Sequence, residues 1–446
     1  MLKKNDVIKT TIVSMGCNME GIARHDGFVI FVPFAILGEE VEIKILKVQK
    51  DYAYAKLLNV LSPSIYRTQP LCPYFTKCGG CDCQHIDYAY ACELKRDMVK
   101  NTLEHICKCP IIVNNTVSSD NSYFYRNKVA FPVSPSSRRI GMYAPNSHRI
   151  IEIDNCLIQN KWVKELINCV NEYIEKSGIS VYDETTEKGT LRHVVARGND
   201  DGVLVTLVIN GNGLKNTKPL IDLLQSRFEN FGLNLNINTK KSNAILTDKF
   251  VNIYGLKELK FDEFGVKYAV GNGSFLQVNN YIKKAIYNVV LTNIEPDEIV
   301  IEGYSGAGLM TAMLASKAKH VYGVEIVEEA VKSADELMKK NDIKNVTNIC
   351  GKCEEEIPKL IGKMEKSIVV LDPPRKGCDL KVIEALAKAK PSKIIYVSCA
   401  PNTLGRDIKN LTELSCGAYE IESITPFDMF PQTKHVETLA VLKLKK

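Results

Sequence analysis

Cys399 stands in Tyr396-Val397-Ser398-Cys399-Ala400-Pro401-Asn402, after a strand-like run and before a helical pattern. A cysteine at that junction sits at the carboxyl edge of a sheet. Helix N-terminal N–H groups favour an anion there, so its thiol is expected to ionise below the free value of about 8.5. A buried structural cysteine belongs mid-strand, so this position reads as a nucleophile. The preceding strand ends in Asp372-Pro373-Pro374-Arg375. Two prolines fix two φ angles and remove two N–H donors, which holds the Asp372 carboxylate on a stiff loop. His435 and Glu437 open the last β run, two apart and therefore on one face. That run is expected to lie antiparallel beside the strand before Cys399, with its beginning next to the thiol. Glu437 is the first choice for a base and His435 the second.

A second set of residues points to a nucleotide. Glu302-Gly303-Tyr304-Ser305-Gly306-Ala307-Gly308 follows another strand-like run and precedes a helix. Its glycines permit a tight turn and close approach of a ligand. The spacing is G-x-x-G-x-G, whereas a pyrophosphate loop expects G-x-G-x-x-G. Glu325, at the end of the next strand, is placed to accept from two ribose hydroxyls. Adenosine without phosphates fits this pair, which means S-adenosylmethionine rather than NAD. Joined to a thiolate, the cofactor selects a chemistry. Carbon 5 of uracil is a poor nucleophile until a thiolate adds to carbon 6; methyl transfer then follows, and a base removes the carbon 5 proton as the thiolate leaves. An adenine N-methyltransferase needs no such cysteine.

The elements that must carry these residues are legible from 298 onward as strict β/α alternation. Strand-like runs are 299–303, 320–325, 346–350, 368–371 and 393–398, with helical patterns such as 328–340, 380–388 and 404–414 between or after them. Five such units predict a doubly wound α/β sheet, and 419–426 and 436–443 predict a closing antiparallel hairpin. Upstream, 1–61 alternates short β runs (28–32, 41–48, 54–58) with turn residues, as a small OB-type barrel does. The apolar run 28–37 is too short to span a bilayer and reads as a buried strand pair. A central β-rich segment, 62–270, contains helical stretches at 88–106 and 161–176. Between 123 and 150 it holds Arg126, Lys128, Arg138, Arg139 and Arg149 without an acid, interleaved with Tyr123, Phe124, Tyr125, Phe131 and Tyr143. Cations beside aromatic faces suit single-stranded RNA; the alternative is a solvated strand face with its aromatics in the core. The catalytic segment is 271–446. A net charge of +6 tolerates a nucleic acid without demanding one. Fifteen cysteines and a polar N-terminus with no apolar signal core argue for a reducing, cytoplasmic setting without disulfides.

Together these motifs resemble the bacterial RNA uracil-5 methyltransferases, especially the branch acting on 23S ribosomal RNA, over nearly the whole chain. The resemblance rests on F-x-Q-V-N at Phe275 to Asn279, the glycine turn, Asp372-Pro373-Pro374-Arg375, Ser398-Cys399 with Asn402, and His435-Val436-Glu437-Thr438. It implies a class I methyltransferase domain, an N-terminal TRAM barrel and an RNA partner. It also implies Gln277, Tyr304, Glu325 and Asp372 as cofactor ligands, Cys399 as nucleophile and Glu437 as base. Glu302 and Ser305 depart from the family's more frequent Asp and Cys. The resemblance extends to Cys72, Cys78 and Cys81 with distant Cys156, a 4Fe–4S ligand set; three clustered thiols and one remote suit a cluster better than zinc, and Cys83 is an alternative fourth ligand. The expected protein is a monomer with no membrane partner. Its rivals are a transfer-RNA enzyme of the same chemistry, a non-catalytic RNA-binding protein, and a nicotinamide oxidoreductase with an iron–sulfur relay.

Overall fold

The computed structural model describes residues 2–362, 364 and 367–445, so positions 1 and 446 of the expected outer segments lie outside it. Five short strands, Val7–Met15 (β1), Gly21–His25 (β2), Phe28–Val32 (β3), Glu40–Val48 (β4) and Tyr52–Ser62 (β5), close a barrel in the order β1-β2-β3-β5-β4. Ile12, Ile30, Ile43 and Ile45 fill its interior. The run 28–37 corrects the expectation of a strand pair: it is one strand and a turn. Pro33 cannot donate to a ladder, Phe34 turns the chain at φ +68°, and Ala35 and Ile36 are buried as loop residues.

The chain then crosses a cysteine-rich loop to Tyr88–Cys107 (α1), capped by Asp87, whose side chain accepts the Tyr90 N–H at 3.1 Å. Next come Lys128–Pro132 (β6), Gly141–Tyr143 (β7), Ile150–Glu152 (β8), Trp162–Ser177 (α2), Leu191–Asn199 (β9), Gly202–Ile209 (β10), Lys218–Gln225 (α3), Phe231–Ile237 (β11) and Phe250–Gly255 (β12). The strands β12-β11-β10-β9-β6 form one mixed sheet, and the apolar stripes of α2 and α3 pack on it. A hairpin, Glu258–Glu263 (β13) and Val266–Gly271 (β14), leads to Asn280–Thr292 (α4).

The remaining elements are Ile299–Gly303 (β15), Leu309–Ala315 (α5), His320–Glu325 (β16), Glu328–Lys340 (α6), Val346–Cys350 (β17), Cys353–Ile361 (α7), Ser367–Leu371 (β18), Leu380–Ala389 (α8), Lys393–Ser398 (β19), Pro401–Leu414 (α9), Tyr419–Phe427 (β20) and Glu437–Leu444 (β21). Their sheet runs β17-β16-β15-β18-β19-β21-β20, parallel as far as β19, with β21 antiparallel to both of its neighbours. The doubly wound sheet and closing hairpin are as the sequence predicts. β18 and β19 read as near-continuous apolar runs because both faces are covered. On one face lie α7, α8 and α9, and on the other α4, α5 and α6. The first face also takes α1: Val99 and Leu103 join Leu404 and Ile408 in one core, so a helix inside segment 62–270 completes the catalytic sheet.

Candidate active site

Strand order reverses between β15 and β18, and a ligand crevice opens there at the carboxyl ends of parallel strands. β15 runs into the glycine turn. Tyr304 takes φ +65°, a left-handed conformation unfavourable for a tyrosine, and its N–H donates to Cys353 Sγ at 3.3 Å. Gly308 also has positive φ, and a Cβ there would lie 2.6 Å from Ala334 Cβ. Glu325 spans the site's floor: Oε2 accepts from Gly306 N–H (3.0 Å) and Oε1 from Val327 N–H (2.9 Å). Its remaining lone pairs are free to meet hydroxyls. Beneath it, Glu302 is buried, hydrogen-bonded by Thr311 Oγ1 at 2.5 Å, and burial pushes its pKa up to about 8. Gln277 lies on the loop before α4; its carbonyl accepts from Asn127 Nδ2 at 3.1 Å. Its side chain makes no hydrogen bond among the described residues.

The reacting groups meet at the other side of β18. The β19–β21 ladder ends at the pair Ser398 and Thr438, so Cys399 and Glu437 are the next residues outward on the two chains, and the Glu437 carboxylate bears on the Cys399 thiol. Glu437 is 5% exposed, while His435, just outside the ladder, is half-buried. Burial and then the Asp372 carboxylate push the Glu437 pKa up to about 8, opposed by Arg375. Burial alone raises Asp372 to about 6. The expected low pKa of Cys399 is reversed: burial, Glu437 and Asp372 push the thiol above its ordinary value, and Arg375 counteracts only in part. Burial, the largest of these causes, disfavours the thiolate whatever the helix N-terminus contributes. His435 is lowered by burial and by Arg375.

The Asp372 loop is fixed from behind. Asp407, 2% exposed on α9, accepts from Tyr396 Oη (2.6 Å) and from Cys378 N–H (2.9 Å). Arg406 donates to the Lys376 and Cys378 carbonyls, and Thr403 to the Arg375 carbonyl. The helix that begins after Cys399 therefore grips the loop carrying Asp372. The sequence did not single out Asp407, nor the counter-cation role of Arg375; an acid at an inward position of α9 was the available signal.

Away from this centre, Cys72, Cys78, Cys81 and Cys156 line one largely apolar cavity with Phe75, Met142 and Ile153. Burial, with neighbouring thiols adding to it, pushes the Cys78, Cys81 and Cys156 thiols above their ordinary values, and all four are free thiols. Cys83 is not among them; it is buried with Met19, Ile36 and Leu94 where the barrel meets α1. Among the described residues no three His, Cys, Asp or Glu side chains are arranged to hold one metal ion. A single zinc needs four sulfurs about 2.3 Å from one point, and a cubane cluster, which is larger, spaces them further apart. The four thiols share the lining of one cavity.

The basic stretch divides. Arg138 donates to the Ile174 and Ile179 carbonyls (both 3.1 Å), and Arg139 pairs with Asp154 (3.2 Å) and Glu152. Phe131 is fully buried. These residues therefore serve the domain itself, against the expectation of a continuous RNA face. Arg126, Lys128 and Arg149 remain: Arg126 lies over Phe430 at 6.0 Å, burial with Arg197 and Arg126 lowers the Lys128 pKa to about 8, and Arg149 is exposed.

The family model described as tRNA (Uracil-5-)-methyltransferase matches residues 88–445, and a TRAM domain model matches 5–58. The chain is 40% identical to a protein named as an RNA methyltransferase from Clostridium tetani, covering 99% of this chain and 97% of that one. It is 38% identical to a counterpart in Halalkalibacterium halodurans, over 100% and 98%. The structure of the Pyrococcus abyssi tRNA (uracil-54, C5)-methyltransferase in complex with S-adenosyl-L-homocysteine superposes with a TM-score of 0.79 at 26% identity, covering 97% of this chain and 99% of that one. No helix among the described residues is long and apolar enough to cross a membrane. The chain belongs to the tRNA (uracil-5-)-methyltransferase family of RNA-modifying enzymes, with a TRAM barrel at its front.

Proposed function

We propose that the protein methylates carbon 5 of a uridine in RNA through a covalent cysteine adduct. The observation that carries this reading is the end of the β19–β21 ladder at Ser398 and Thr438, which leaves Cys399 and Glu437 adjacent beyond it, with Asp372 near enough to bear on both. S-adenosylmethionine would supply the electrophilic methyl group, held by Glu325 toward the ribose and by Tyr304, Gln277 and Asp372 around the rest. Cys399 Sγ adds to carbon 6 of the uracil, and the ring carries the charge to carbon 5, which takes the methyl group. Glu437 then removes the carbon 5 proton, and the carbon 6–sulfur bond breaks to return the thiolate. Bonding to carbon 6 moves the thiolate charge onto the ring, and taking the methyl group from the sulfonium neutralises it. One anion has then left a crowded site, and Glu437 ionises more readily just when a base is needed.

Arg126 and Lys128 would neutralise phosphates near the target. The four thiols at Cys72, Cys78, Cys81 and Cys156 would hold a 4Fe–4S cluster that fixes the loop, and fifteen free thiols fit a cytoplasmic setting. The sequence motifs favour 23S ribosomal RNA as the target. The likeness to a transfer-RNA uracil-54 enzyme favours the second reading, a transfer RNA.

The test uses unmodified ribosomal and transfer RNA transcripts with labelled adenosylmethionine, mapping 5-methyluridine by mass spectrometry. Cys399→Ala should bind both ligands yet give neither adduct nor product. Glu437→Gln should accumulate a methylated protein–RNA complex that survives denaturing electrophoresis. A Cys399→Ala variant that still methylates would overturn the mechanism.

A further inference from the structure

The loop 428–436, between β20 and β21, delivers Glu437 to the site; the anchors nearest Glu437 come from the cysteine-rich region, and others come from α1 and the segment before β6. The N–H groups of Asp82 and Cys83 both donate to the Gln432 carbonyl, at 3.0 and 3.1 Å. Lys434 N–H donates back to Asp82 Oδ2 at 3.1 Å. Gln432 itself takes φ +67°, a conformation that needs holding in place. Tyr125 Oη donates to the Pro431 carbonyl (3.1 Å). Lys95 Nζ donates to Asp428 Oδ1 (2.5 Å) and to the Phe430 carbonyl (3.3 Å). Asp82 follows Cys81 directly, and Cys81 lines the four-thiol cavity with Cys156 from the far side. Anything that moves Cys81 moves Asp82, and through two backbone bonds and one carboxylate bond moves Gln432 and Lys434. His435, Val436 and Glu437 follow without a break.

We infer that Asp82 is a positioning residue that couples the four-cysteine site to the methyl-transfer centre, setting the place of Glu437 through the loop 428–436. The inference rests on the reading of Glu437 as the base for the late step. It gives the cysteine site a catalytic consequence without any electron transfer: filling the cavity fixes the loop, and emptying it loosens the base.

The geometry dictates what should change. A misplaced base slows proton removal, not RNA capture or the first attack by Cys399. Asp82→Ala should lower kcat by about 10- to 100-fold, with the KM for RNA unchanged, and should accumulate the methylated covalent complex. Asp82→Asn keeps an oxygen that accepts the Lys434 N–H, and should recover most of kcat. Asp82→Ala purified without oxygen should keep the iron content and visible absorbance of the wild type, which separates loop positioning from loss of the cluster.

The decisive arm is a cycle with Cys156→Ser, whose cysteine is distant from Asp82 in the chain. If both act through the loop, Cys156→Ser should give the same kcat loss and adduct accumulation, and the double variant should lose no more than either single one. Strictly multiplicative losses, a change confined to KM, or an Asp82→Ala variant that turns over like the wild type would each overturn the inference. Failure of the wild type to form 5-methyluridine, or of Glu437→Gln to trap the adduct, would instead overturn the underlying mechanism. Adenosylmethionine binding and a thermal melt of each variant report whether it folds.

Discussion

Cys399, Asp372 and Glu437 form a cluster of three potential anions opposed by one cation, Arg375, so ionising any one of them resists ionising the others. Elimination of the thiolate, followed in a single turnover, should therefore speed up as pH rises and level off below the value of about 8 that Glu437 has before the adduct forms; Glu437→Gln should lack that limb. Stability follows the same proton. In the folded protein Glu437 keeps it up to about pH 8, whereas the unfolded chain releases it near 4.5. The folded state thus binds more protons across that window, so stability falls as pH rises from about 4.5 to 8. Glu437→Gln should melt above the wild type at pH 8.5 and close to it at pH 5. A second residue-scale test concerns the thiols: protein purified without oxygen should carry about four iron atoms per chain, and Cys156→Ser should lower this more than Cys83→Ser, because Cys83 sits in the contact between barrel and α1. Zinc in place of iron would sink the cluster. The meeting of the end of β19 with the beginning of β21 was legible because the neighbours at a sheet's edge are fixed once strand order and direction are known. The direction of the Cys399 shift was not, because burial and carboxylates from β18 and β21 decide it, and neither is local in sequence.

Among elements, the parallel strands were legible almost to the residue, because continuous apolar runs bounded by turns have few other readings. The run 28–37 was not: its apolar residues after Pro33 are buried as a turn, and burial without periodicity looks like a strand. Nor was the clamp on α1. Lys95 and Asp428, at 1% and 2% side-chain exposure, pair at 2.5 Å and tie α1 to the loop after β20. Lys95→Met strands a buried carboxylate, at a cost of about 3–5 kcal/mol. Chemical denaturation should show that loss, and a far smaller one for Lys176→Met, whose pair with Glu172 is exposed.

At the scale of the whole molecule, RNA affinity should rest on Arg126 and Lys128 where the central sheet meets the catalytic loop. Lys128→Ala should weaken binding to every RNA alike and flatten the log–log salt slope by about 0.7–0.9. Arg139→Ala, which removes a cation already paired with Asp154, should leave the slope unchanged. The docking of α1 carries a different consequence, one for the order of folding. Cys107 Sγ touches the Gly405 carbonyl across 298 residues of chain, and Val99 and Leu103 pack on α9 over a similar span. During synthesis α1 emerges first and must wait, its apolar stripe uncovered, until β19 and α9 have been made. Contacts of such long range are closed late and slowly. The helix that roofs the catalytic sheet is therefore the segment a chaperone would meet, and a substitution such as Leu103→Asp should cut soluble yield at synthesis far more than it slows the refolding of molecules already made.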